Sequence, residues 1–262
     1  MKHNIYKISF ELQKVSTEIS TYLSGWRKKK QPLTQFMIFY QPRTGSNLLC
    51  DLLHSHPQIY CDGEIFSARQ VRRLLFPAFY LRCRRVKYEN QVYGFKASLY
   101  QINNRQKLAP QRFILNLYKE KWKIIHIYRD NILRQAVSYL IAQQRKKWKN
   151  RAIKPLKGQQ FHIDTNELIK RMEKQENDLM KEKKIIEALP HITIAYERDL
   201  LSAEQHQATA DKIFDYLGLA SVAVKTKFVR TSSDNLADFI ENYEEVVNVI
   251  SQTKYAKFLH DL

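Results

Sequence analysis

Apolar and polar positions along the chain follow two alternating periods. Phe36–Tyr40 is a short, wholly apolar, β-rich run, the pattern of a strand covered on both faces. From Gly45 to about Ser55 the period becomes helical, with Leu48, Leu49, Leu52 and Leu53 on one side. "QVYGFKAS" (91–98), "WKIIHIYR" (122–129) and "HITIAYE" (191–197) read as further strands. Residues 131–149 predict a helix with Ile132, Ala136, Tyr139 and Leu140 inward and basic residues late, where the helix dipole favours them. Residues 164–188 predict a long amphipathic helix with Leu168, Met172, Leu179 and Ile186 on its stripe. Ala203–Leu217 predicts another, stopped by Gly218. "SSDNLADFIENYEEVVNVI" starts with cap-type residues and predicts a last helix after a loop. At the N-terminus, Ile5, Ile8, Leu12, Val15 and Ile19 have the spacing of an amphipathic arm or helix within 1–33.

Strands alternating with helices predict the α/β class: a mostly parallel central sheet flanked by helices on both faces. The 262 residues, with 6 glycines and 7 prolines well separated and no repeat, predict a single domain over 1–262. In such sheets ligands bind beyond the carboxyl ends of the strands, where the Pro42–Ser46 turn falls. No run of about 18 apolar residues exists to span a bilayer. The polar N-terminus lacks the apolar stretch of a signal peptide. Cys50, Cys61 and Cys83 form no Cys-x-x-Cys pair, so neither a disulfide framework nor a zinc site is expected, and a cytoplasmic location is the default.

Charge sharpens the picture. Forty-four Lys and Arg against 26 Asp and Glu give a formal net charge of +18, concentrated in "RKKK" (27–30), "RCRRVK" (82–87) and "RKKWKNR" (145–151). Such an excess suits an anionic ligand, or peripheral association with anionic surfaces. In "FMIFYQPRTGSNLLCDLL" (36–53), an apolar strand breaks at Gln41-Pro42, passes one glycine and enters a helix. A tight strand-to-helix turn exposes successive backbone N–H groups, and the helix N-terminus adds roughly half a positive charge. Thr44, Gly45, Ser46 and Asn47 supply such donors, and Arg43 adds a forked cation suited to oxyanions. A kinase or NTPase of the P-loop type is one alternative. It needs a lysine on the β/γ-phosphates beside a Ser or Thr for magnesium, and no lysine lies between Gln41 and Leu53. Nor does "IIHIYRD" end in a metal-holding carboxylate pair; it reaches Arg129 first, favouring charge neutralisation by protein, without metal. A basic RNA-binding module is the non-enzyme alternative, but no RRM, KH or helix-turn-helix signature is present, so no specific nucleic-acid partner is expected.

"PRTGSNLLCDLL" after an apolar strand, followed by "IHIYRDNILRQAVSY", resembles the sulfotransferases that use 3′-phosphoadenosine 5′-phosphosulfate (PAPS). The first motif is similar to their 5′-phosphosulfate loop, with Arg43 where the family has lysine. The other resembles their 3′-phosphate motif, with an arginine at a strand end and a serine eight or nine residues on; Arg129 and Ser138 fit it. "AYERDLL" (195–201) resembles a later Tyr-Glu-x-Leu segment with one extra residue. "GEIF" (63–66) and "ENYEEV" (241–246) are similar to stretches of the bacterial branch that sulfates carbohydrates and other small acceptors. The resemblance runs from about 36 to 250 and implies PAPS as donor, adenosine 3′,5′-bisphosphate (PAP) as product, no metal, and a hydroxyl-bearing acceptor: a glycan, glycolipid or small molecule.

It further implies Glu64 as general base and Lys96, at the end of "YGFK", as the second cation beside Arg43. Tyr196 is expected to stack on adenine, and Lys227 and Arg230 to close over the 3′-phosphate. His54 and His56 are weaker candidates, because a helix-terminal "HSHP" suits a structural role. Helices within 66–86 and 140–186 are expected to wall the acceptor site.

Overall fold

The computed structural model describes residues 2–26, 34–88, 91–145, 159–228 and 235–261. Five strands, β1 (Thr34–Tyr40), β2 (Ile59–Cys61), β3 (Val92–Ala97), β4 (Lys123–Tyr128) and β5 (His191–Ala195), form a sheet in the order β2-β3-β1-β4-β5. Every pairing is parallel. Eight α-helices accompany them among the described residues: α1 (Lys2–Trp26), α2 (Ser46–Leu53), α3 (Pro77–Arg85), α4 (Pro110–Lys119), α5 (Ile132–Gln144), α6 (Thr165–Ile186), α7 (Gln205–Leu217) and α8 (Tyr243–Ser251).

The central strand β1 shows why its sequence is apolar throughout. Successive side chains point to opposite faces, and both faces are covered. Phe36, Ile38 and Tyr40 pack with α2 and α7 residues such as Leu49 and Phe214. Met37 and Phe39 pack in the opposite layer, with Ile65, Tyr80 and Trp122. A third cluster joins α5, α6 and α8 through Leu133, Met172 and Ile250. No helix among the described residues is long and apolar enough to cross a membrane.

Several expectations shift. The buried face of α5 is Leu133, Ala136, Val137 and Ile141, with Ile132; Tyr139 and Leu140 are only half-buried. Residues 146–149 of that predicted helix lie outside the described residues. The last helix starts late: the Asn235 side chain caps only a 3-10 turn at Leu236–Asp238. The Asn242 side chain then exchanges two 2.9 Å hydrogen bonds with the Ile163 backbone, which breaks the helical course before Tyr243. Cys50 and Cys61, unremarkable by spacing, meet as free buried thiols with sulfurs 3.2 Å apart. Finally, α1 is helical as its spacing allows, but Leu12 and Ile19 lie exposed and its buried side carries Lys14, Glu18 and Thr21.

Candidate active site

The turn from β1 to α2 is built on unusual backbone. Arg43 holds φ at 71° and Gly45 at 82°, both left-handed. Glycine adopts that region freely; for an arginine it is strained. Gly45 also leaves space: a Cβ there would come 2.6 Å from Cδ2 of Tyr196. The Thr44 hydroxyl donates to the Gln41 carbonyl at 2.8 Å and is fully buried, so it braces the turn from within. No side chain caps the N-terminus of α2, which leaves its first N–H groups to the cleft.

Around this turn lies a cleft of about 1020 Å³. Of the residues singled out in the sequence, Arg43, Gly45, Ser46, Asn47, Glu64, Lys96, Arg129, Ser138 and Tyr196 line it together. At one end, the Arg43 Nε donates to Ser138 Oγ at 2.9 Å, tying the loop to α5. The Arg129 Nε donates to Glu197 at 2.8 Å, and its guanidinium lies 4.6 Å from the Tyr196 ring centre. Burial first, and the Arg129 charge second, lower the pKa of Arg43 from its usual value. Among the described residues no carboxylate pairs with Arg43 to offset that. Two guanidinium groups thus share one end of a cleft, an arrangement an anion would relieve.

At the other end Lys96, next to last in β3, is 2% exposed. Its Nζ donates to Asn47 Oδ1 at 2.5 Å and Ser46 Oγ at 3.1 Å. It also lies 3.4 Å from Glu64 Oε1. Glu64 accepts from Gln101 Nε2 at 3.1 Å. The Tyr40 hydroxyl completes the group: burial first, then the Glu64 charge, raise its pKa well above the ordinary value. A carboxylate, an ammonium and a phenol therefore meet beside the phosphate-type loop.

Other candidates stand elsewhere. Lys227 is exposed and off the cleft, its backbone N–H donating to Asp51 at 2.9 Å, although Phe228 next to it lines the wall. Arg230 lies outside the described residues. His54 accepts at Nε2 from the Cys61 N–H (3.2 Å), and buried His56 accepts at Nδ1 from the Gln58 N–H (3.1 Å). Neither histidine lines the cleft. Sequence reasoning passed over Tyr40, Gln101, Arg134, Arg171 and Lys174, all in the lining. Tyr40 carried a signal, as a polar-tipped residue ending an apolar strand. Arg171 carried none: it is brought in by α6 and stacks 3.5 Å from the Tyr139 ring centre on α5. Segment 67–70, the end of α5 and the middle of α6 form the remaining wall.

No protein-family model matches the chain. No curated protein sequence matches it either. Among solved structures, a sulfotransferase from Alicyclobacillus acidocaldarius superposes with a TM-score of 0.51 at 13% identity, covering 86% of this chain and 95% of that one. The fold is a sulfotransferase fold. Two weaker matches are also sulfotransferases. The sulfotransferase domain of the Synechococcus PCC 7002 olefin synthase has a TM-score of 0.41 and 16% identity, over 74% of this chain and 76% of that one. Mouse sulfotransferase SULT7A1, complexed with PAP, has 0.45 and 10%, over 96% and 95%. In this sulfotransferase fold the β1–α2 turn and the ends of β3 and β4 open onto one cleft.

Proposed function

We propose that the chain transfers a sulfuryl group from PAPS to the hydroxyl of a carbohydrate, glycolipid or small-molecule acceptor. One observation carries the reading: the Arg43 Nε to Ser138 Oγ hydrogen bond, which unites the two phosphate-type motifs across one cleft with Arg129 beside them. The donor set fits two separated anionic groups. Arg43 and the uncapped N-terminus of α2 suit the 5′ side. Arg129 and Ser138 suit the 3′-phosphate; Ser138 accepts from Arg43, which leaves its own hydroxyl hydrogen to donate. When bound, PAPS supplies a sulfuryl group on a phosphate leaving group.

The rest follows from this chain's own residues. Lys96, fixed by Ser46 and Asn47, would supply a positive charge to the donor's bridging oxygen. Glu64 is placed to take the acceptor hydroxyl proton at Oε1, with Gln101 holding its other oxygen. Tyr196 packs against Gly45 and lies under the Arg129 guanidinium, and its ring would stack on the adenine.

Thermal unfolding with nucleotides tests the reading. PAP at about 100-fold over its dissociation constant should stabilise the fold by about 2.7 kcal/mol, well beyond AMP or ATP. Stabilisation by ATP with magnesium and none by PAP would sink it. Mass gain of one sulfo group, across an acceptor library with PAPS, identifies the acceptor.

A further inference from the structure

The N-terminal helix is seated with its polar side inward. Lys14, Glu18, Thr21 and Gly25 of α1 are buried on the side that packs against α3. A Cβ on Gly25 would come 2.2 Å from that of Cys83, so the two helices touch there and α1 has no freedom to roll. Glu18 accepts from the Leu75 N–H at 3.2 Å and from the Tyr22 hydroxyl at 2.8 Å. Tyr22 in turn accepts from the Phe76 N–H at 3.3 Å and stacks on Phe79. These contacts fix the orientation of the helix.

The apolar side consequently faces out. Leu12, Ile19, Leu23 and Trp26 follow at spacings of seven, four and three, which places them on one stripe at 3.6 residues per turn. They are 63%, 52%, 67% and 78% exposed. Ile19 and Leu23 directly follow Glu18 and Tyr22, whose bonds hold residues 75 and 76 against that flank of the helix. Leu75 and Phe76, 78% and 63% exposed, are thereby held beside the stripe. Monomeric proteins rarely leave a contiguous apolar surface of this kind uncovered.

Charge identifies what covers it. Arg72, Arg73 and Arg82 are exposed on the segment and helix that pack against α1, and the chain carries +18 overall. The only acids among the α1 residues are Glu11 and Glu18. Glu18 is buried, and Glu11 is ion-paired to Lys14 at 2.5 Å, with Arg72 and Arg105 adding to the cations that lower its pKa. An apolar stripe ending in tryptophan, rimmed by arginine and free of uncompensated acid, matches an interfacial helix on a negatively charged bilayer. The geometry points to the outer face of α1, with Leu75 and Phe76, as a docking surface for anionic lipid membranes. This is independent of the sulfuryl-transfer reading.

Co-sedimentation of the full chain with vesicles tests it. Binding to phosphatidylcholine vesicles containing about a third phosphatidylglycerol is expected, with little binding to phosphatidylcholine alone. The pair Leu23→Ser and Trp26→Ser should weaken anionic-vesicle binding at least tenfold. The pair Arg72→Ala and Arg73→Ala should weaken it by about fivefold per arginine at low salt and less at high salt. All four side chains are exposed, and an unchanged melting temperature confirms that the variants fold. Three outcomes overturn the proposal: no preference for the anionic vesicles, wild-type binding by the Leu23/Trp26 variant, or a dimer in light scattering that the same variant abolishes. The last would assign the stripe to a second copy of the chain.

Discussion

Glu64 stands 3.4 Å from the Lys96 ammonium and accepts from Gln101, so its carboxylate has a fixed place in the cleft. Glu64→Gln keeps the size and most hydrogen bonding but removes proton acceptance. Turnover should fall by about 10²–10⁴ while PAP affinity holds near wild type. Retention of more than about a tenth of turnover would take the base role from Glu64. Arg43 allows a sharper comparison, because it combines a cation with a strained backbone at φ 71°. Arg43→Ala and Arg43→Gly both remove the cation, so calorimetry should show equal losses of PAP binding, tenfold or more. Glycine alone relieves the left-handed strain. The glycine variant should therefore unfold at higher temperature than the alanine variant, by about 1 kcal/mol in stability. Equal melting would mean the strain is relieved elsewhere. These residues were legible because a short motif announces its chemistry: a turn after a strand, an arginine at a strand end. Gln101 and Arg171 were not, since each reaches the cleft through tertiary placement that no local pattern encodes.

At the scale of elements, a buried polar network joins the loop to β4, α5 and α6. Gln41 Nε2 donates to the Gln175 carbonyl at 3.1 Å and lies 3.4 Å from Glu182, and Gln135 Nε2 donates to the Pro42 carbonyl at 2.9 Å. His126 Nε2 lies 3.3 Å from Glu182. Burial raises the Glu182 pKa well above its ordinary value and pushes His126 down to about 3, so each favours its neutral form inside the fold. The consequences oppose each other. Above about pH 4.5 unfolding releases the Glu182 proton, so its contribution falls as pH rises; below about pH 6.5 unfolding protonates His126, so its contribution is lost as pH falls. Between those values the two oppose each other in the wild type. Glu182→Gln should expose the histidine alone: urea unfolding should show stability climbing by up to about 1.4 kcal/mol per pH unit from 4.5 to 6.5, and a variant more stable than wild type above pH 7. Parallel pH profiles for the two proteins would refute this. Neither Gln175 nor Glu182 stands out in the sequence, where they interrupt an otherwise apolar stripe on α6. Strands β1, β3, β4 and β5 were legible from their apolar runs. Strand β2, three residues long, offered too little periodicity; α4, opening at Pro110, carries a clear apolar face with Ile114 and Leu117 that sequence reasoning passed over. The period of α1 was plain, but a period reveals only that a stripe exists and not what lies against it.

For the whole molecule, the cleft gathers nine Arg and Lys side chains against Glu64 and Asp178, in a chain that is itself strongly basic. Such a field captures anions from a distance and is screened beyond about 10 Å at 0.1 M salt. Stopped-flow binding of PAP should slow several-fold between about 0.05 and 0.5 M salt, mainly in the association rate. A salt-insensitive association rate would show that the field does no steering. The α/β class itself was readable, because alternating strand and helix periods leave few other architectures. The parallel sheet has a consequence in time as well. With no hairpin among the described residues, no strand of the sheet can pair with its neighbour in sequence until a long crossover is in place. Thr34 must wait for Val92, and Phe36 for Lys123, so the most apolar strand is synthesised first among the five and is partnered late. While it waits, Phe36–Tyr40 is an uncharged, aromatic-rich segment open to other chains. Refolding from denaturant should therefore be slow and concentration-limited, with yield lost to aggregates that nucleate on the very strand the finished molecule hides best.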